Sequence, residues 1–133
     1  MPIAKVNGQL IYYADSGGNH PAVIFAHGFF MDHTMFDAQV EMLLKQFRCI
    51  AWDQRGFGKT PAPGPFSYWD SAHDALALLD YLQIDQAVFV GMSQGGFLSL
   101  RAALSCKERV RGLVLIGSEA GINTAEEKEG YRQ

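Results

Sequence analysis

One serine in the stretch "GMSQGG", Ser93, has a glycine two residues before it, Gly91, and another two residues after it, Gly95. The apolar run Ala87–Val90 leads into this stretch and a helix-forming segment, Phe97 to Leu104, leads out of it. A strand that turns into a helix at a serine holds it in strained backbone geometry, and the neighbouring chain comes too close for a Cβ on either side. The hydroxyl then projects at a helix N-terminus, where partial positive charge favours a developing anion. That is the arrangement of a serine nucleophile for acyl transfer, and Ser93 is the candidate.

Attack on a carbonyl creates a negative oxygen, which two preorganised N–H donors must hold; losing one such donor costs about 3 to 4 kcal/mol in the transition state. The Gln94 N–H, next after the serine, supplies one donor, and the Phe29 N–H in His27-Gly28-Phe29-Phe30 supplies the other. Phe29, Phe30 and Met92 are the apolar candidates for the substrate pocket, with Trp69 beyond them. His27 directly follows an apolar run and reads as a buried, backbone-bonded imidazole instead of a base. In Asp53-Gln54-Arg55-Gly56-Phe57-Gly58, an Asp–Arg pair clamping a Gly-rich loop accounts for the residue types.

The serine needs a histidine base, and the histidine an acid. No histidine follows Ser93; His20, His33 and His73 precede it and read as loop, helix start and helix surface, without metal-ligand spacing. Glu119 is the one acid at the end of a strand pattern after Ser93, and reads as a lid hinge.

The elements that must position these groups follow from periodicity. "NGQLIYYADSGGNHP" reads as a strand pair or an edge strand, with Asn7-Gly8 as a turn signal. Ala22–Ala26, Cys49–Trp52, Ala87–Val90 and Leu113–Ile116 read as buried strands. Between them, Met35–Phe47 carries a helical stripe of Phe36, Val40, Leu43, Leu44 and Phe47. Residues 53–66 form a loop rich in proline and glycine, Ser67 to Asp70 form a capping box for a second helix, and Gly96–Ser105 form a third. Strands alternating with helices specify an α/β fold, a mostly parallel sheet flanked by helices, with its chemistry at the carboxyl ends of the strands.

A chain of 133 residues, 48% hydrophobic, can bury one core, so a single soluble unit is expected. A net charge of −3 with scattered lysines and arginines leaves no basic stripe for nucleic acid or for an anionic membrane. Cys49 and Cys106 lack CxxC spacing and read as buried free thiols, in keeping with a cytoplasmic protein. No stretch of the sequence has the pattern of a signal peptide or a membrane span.

In order and spacing, "VIFAHGFFMDHTMFDAQVEML", "CIAWDQRGFGKT", "VFVGMSQGG" and "VRGLVLIGSEAG" resemble the amino-terminal half of an α/β-hydrolase of the small esterase, lactonase and cofactor-free haloperoxidase-like group. The resemblance implies that Ser93 attacks, that Phe29 and Gln94 form the oxyanion hole, and that a cap follows the fourth buried strand. It divides the chain into a core part, 1–120, and the start of a lid or linker, 121–133. It also implies about twice this length, with acid and histidine supplied by a carboxyl-terminal part or second chain. The expected function is a serine hydrolase of esters or lactones, without metal or organic cofactor, and nearly inactive as this chain alone. Carbon–carbon bond hydrolysis or perhydrolysis on the same elbow, and non-catalytic ligand binding, are the alternatives.

Overall fold

The computed structural model of the chain describes residues 2–62 and 64–117. Strands β1 (Ile3–Val6) and β2 (Gln9–Asp15) form a hairpin, the first of the two readings, turning at Asn7 and Gly8 with φ of 49° and 72°, the two positive values that a tight hairpin turn demands. Strands β3 (Ala22–Ala26), β4 (Arg48–Trp52), β5 (Ala87–Met92) and β6 (Val110–Ile116) follow, and the sheet order is β1-β2-β4-β3-β5-β6. The pairs β4–β3, β3–β5 and β5–β6 are parallel, while β2 meets β4 antiparallel. This is the helix-flanked, mostly parallel sheet implied by the periodicity. The central β3 is buried at all five residues, which its run of Ala, Val, Ile, Phe and Ala makes favourable on both faces.

Helix α2 (Tyr68–Tyr81) begins at a complete capping box, in which the Ser67 hydroxyl accepts from the Asp70 N–H and the Asp70 carboxylate accepts from the Ser67 N–H. Its stripe of Ala72, Ala75, Leu76 and Leu79 packs into the larger core with Ile24, Ile50, Trp52 and Phe89. Helix α3 (Gln94–Ser105) shares that face and adds Leu98 and Ala102.

The first helical region departs from its expected form. His33–Phe36 make a 3-10 turn, and helix α1 runs only Asp37–Leu43. The Gln46 and Phe47 N–H groups both return to the Leu43 carbonyl, ending the helix there. Phe36 is buried and Val40, Leu43 and Phe47 pack on the smaller core, but Leu44 is turned outward at 44% exposure. Cys49 is buried as expected, whereas Cys106 is only half-buried.

Candidate active site

The carboxyl ends of β3, β4 and β5 lie side by side, since Ala26 pairs with both Trp52 and Gly91. The three loops that carry His27, Asp53 and Ser93 therefore begin at one level.

Ser93 stands between β5 and α3 at φ 51° and ψ −114°, a left-handed conformation that a serine adopts only under constraint from its surroundings. The constraint is visible in the glycines. A Cβ on Gly91 would overlap the Gly95 carbonyl, and one on Gly95 would overlap the Ala26 and His27 carbonyl oxygens. The Ser93 N–H donates to the Ile116 carbonyl at 2.9 Å, and the Ser93 carbonyl accepts from Gly96 and Phe97. The serine is thus tied to both β6 and α3.

The loop after β3 closes a tight turn in which the Met31 N–H donates to the Gly28 carbonyl at 3.1 Å. Phe30 takes φ 62° in it, a second strained position beside the first. Among the described residues, no protein acceptor takes the Phe29 or the Gln94 N–H.

Buried polar groups join the three loops. The Gln54 N–H donates to His27 Nε2 at 3.0 Å, so this nitrogen carries no proton, and Nδ1–H donates to the Gly28 carbonyl at 2.9 Å. Burial lowers the His27 pKa, against smaller opposing effects of the Gly28 hydrogen bond and the Asp53 charge. The Gln54 side chain donates to the His27 carbonyl at 2.7 Å and accepts from the Gln94 side chain at 2.9 Å. Gln54, which the sequence did not single out, is the junction of this network.

Asp53 and Arg55 each hold the loop, but not through each other. Arg55 makes a two-pronged bond to the fully buried Asp74 on α2, both contacts at 2.7 Å. Asp53 accepts from the His33 backbone and ring, each at 2.8 Å, and from the Lys59 N–H at 3.0 Å. Asp32, His33 and Asp53 are the one group among the described residues with metal-ligating atoms close together. Their oxygens are engaged in these bonds and in the Asp32 cap on Thr34.

A cavity of about 380 Å³ opens beside the elbow, walled by Phe29, Phe57, Phe66, Tyr68 and Trp69. Ser67, Gln94 and Arg101 give its polar lining. Of the sequence-derived site residues, Phe29 and Gln94 meet here. Phe30 faces a separate hollow with Asp32 and Gly58, and Met92 packs on the smaller core beside Gly28. His20 sits at the amino end of β3, roughly 17 Å of strand from the elbow's level. His73 is exposed on α2. Glu119 and the segment 121–133 lie outside the described residues.

A family model described as the alpha/beta hydrolase fold matches residues 21–131. The 3-oxoadipate enol-lactonase 2 of Acinetobacter baylyi is 33% identical over 116 residues, which cover 86% of this chain and 43% of that protein. A serine hydrolase of Mus musculus is 32% identical over 133 residues, covering 96% and 45%. The crystal structure of the enol-lactonase from Burkholderia xenovorans LB400 superposes with a TM-score of 0.86 at 34% identity, covering 94% of this chain and 50% of that one. The chain therefore spans about half the length of the proteins it matches. No helix among the described residues is long and apolar enough to cross a membrane.

Proposed function

The chain belongs to the alpha/beta hydrolase fold family, and on that premise we propose that it supplies the nucleophile and oxyanion hole of a serine hydrolase acting on carboxylic esters or lactones. The observation that carries this reading is the backbone of Ser93, left-handed at φ 51° at the top of β5 between two glycines that nothing larger can replace. Strain of this kind persists where the surroundings over-determine it.

In this mechanism the Ser93 hydroxyl adds to the substrate carbonyl while a histidine removes its proton. The Phe29 and Gln94 N–H groups, which have no protein acceptor among the described residues, hold the tetrahedral oxygen. Collapse expels the alcohol, which takes the proton from the histidine, and leaves an acyl group on Ser93. Water, deprotonated by the same histidine, then releases the acid. Phe29 forms part of the pocket wall, and Phe30 and Met92 shape the loop around it.

The base is not one of this chain's histidines. His27 has its Nε2 occupied and its Nδ1–H committed, His33 is bonded to Asp53, and His20 and His73 stand elsewhere. We therefore place the base and its acid on polypeptide beyond this chain, with 1–120 as the first part of the catalytic core and 121–133 as the start of the lid. Alone, the chain is nearly inactive, because an unassisted serine is a weak nucleophile.

The test is native mass spectrometry of the purified protein followed by labelling with an aryl phosphonate. The expected result is a particle containing a second polypeptide, a single adduct on the peptide that contains Ser93, and no adduct in Ser93→Ala. A complete particle that hydrolyses esters at full rate after Ser93→Ala would overturn the assignment.

A further inference from the structure

Arginines inside this fold have aspartates. Arg48 pairs with Asp15, Arg55 with Asp74 and Arg109 with Asp80. Like the exposed Arg111 on β6, the half-buried Arg101 on α3 has no carboxylate paired with it among the described residues. Its guanidinium lies 5.5 Å from the ring centroids of both Tyr68 and Trp69, and one N–H donates to the Phe97 carbonyl at 3.0 Å. Aromatic rings and a carbonyl fix the plane of the group without neutralising its charge. A guanidinium has five N–H donors, so most of them stay available. Arg101 also lines the same cavity as Phe29, Ser67 and Gln94, whose remaining wall is aromatic.

We propose that this cavity binds substrates that carry a carboxylate in addition to the ester or lactone, and that Arg101 is the carboxylate's partner. The part concerning the ester rests on the Ser93 reading above. Helix geometry sets the axial part of the spacing between the two groups, the least that a substrate must span. The guanidinium is held at the level of the Phe97 carbonyl, four residues past Ser93, or roughly 6 Å along the helix axis. A carboxylate roughly four to six bonds from the scissile carbonyl spans that distance. A half-ester of a short dicarboxylic acid, or a lactone with a short carboxyalkyl arm, has this form. Because stacking has already fixed the guanidinium, little side-chain freedom is lost on binding.

The experiment titrates the Ser93→Ala protein, in which turnover is blocked, with monomethyl glutarate and with neutral dimethyl glutarate. Emission of Trp69, which touches Arg101, gives the readout, and calorimetry checks it. The monoanion is expected to bind at least about tenfold more tightly than the diester, an advantage that shrinks in high salt and disappears when Arg101→Gln is added. Equal affinities, or a preference that survives Arg101→Gln, would overturn the proposal. If Arg101→Gln does not fold, Arg101→Lys keeps the charge and loses the planar fork, and the expected result is several-fold weaker binding of the monoanion alone; unchanged binding overturns the proposal. Phosphonate labelling of Ser93 is read separately in the wild-type particle that contains the second polypeptide, since this chain alone lacks the base. A carboxylate preference without labelling defeats the hydrolase reading and leaves the anion site standing, whereas labelling without preference defeats the anion site only.

Discussion

Strand β5, which ends at the elbow, has two parallel neighbours that share its apolar character and little else. On one side β3 is buried at every residue; on the other, none of the seven residues of β6 is buried, and Val114 and Ile116 are 46% and 44% exposed. The difference follows the chemistry. The β3 side supplies the turn of Phe29, the carbonyls that exclude any side chain from Gly95, and the His27–Gln54–Gln94 network. The β6 side contributes the Ile116 carbonyl, which accepts from the Ser93 N–H. In the proposed function the base and acid approach from polypeptide still to be added, and the open side is where a sheet can accept it. An apolar strand sequence records the contacts a strand is suited to make, whereas burial records the contacts present.

The contrast breaks most sharply at Gly95. A valine there would drive its side chain into the Ala26 and His27 carbonyls, the last of the central strand and the first beyond it, so Gly95→Val is expected to cost about 4 kcal/mol or more. A urea unfolding midpoint matching wild type would show that the closed side is more yielding than its geometry indicates.

Paired truncations measure the two neighbours directly. Ile24→Ala, in fully buried β3, is expected to lose about 3 kcal/mol, and Val114→Ala, on β6, about 0.5 kcal/mol. Equal losses in chemical denaturation would erase the distinction between the strands. When a polypeptide that covers β6 is added, the Val114→Ala loss should grow while the Ile24→Ala loss stays the same.

The smallest effect is one of pH. Burial holds the folded His27 below the ordinary imidazole pKa of about 6.5, so the unfolded chain takes up its proton first. Stability from this group is complete above about pH 6.5 and falls as the pH drops below it. Asp32, held below its usual value by Thr34, contributes stability that is lost only as the pH falls below about 4, in a separate window. Nitrogen NMR should find His27 still neutral, with Nε2 unprotonated, as the pH falls below the ordinary imidazole value of about 6.5. Protonation of His27 at the ordinary imidazole value would contradict the closed environment.

Most of the fold was legible because its signals are local. Asn7-Gly8 dictates a turn, Ser67 and Asp70 cap a helix across three residues, and Gly91, Ser93 and Gly95 enforce the elbow. What was hidden depends on distant partners. Arg55 reads naturally with Asp53, two residues away, yet its partner is Asp74, which α2 delivers to the loop. Gln54 meets Gln94 across 40 positions, and no pattern in either neighbourhood signals that bond. Leu44 satisfies the helical period but falls one residue past the point where α1 stops. Arg101 looks like an ordinary polar residue on an amphipathic helix until the absence of a carboxylate partner becomes visible in three dimensions.

The pairing of Ala26 with Gly91 has a further consequence. The two amides that the proposed mechanism uses sit on loops more than sixty positions apart in sequence, so their relative placement is a phase relation between β3 and β5. A slip of one residue would shift one amide by about 3.3 Å and turn every side chain of the strand to its other face. Gly95, seated against the Ala26 carbonyl, acts as a pawl in that ratchet: only one setting of the two strands lets it close. The precision of the site is in this sense a property of sheet alignment, settled before any substrate arrives.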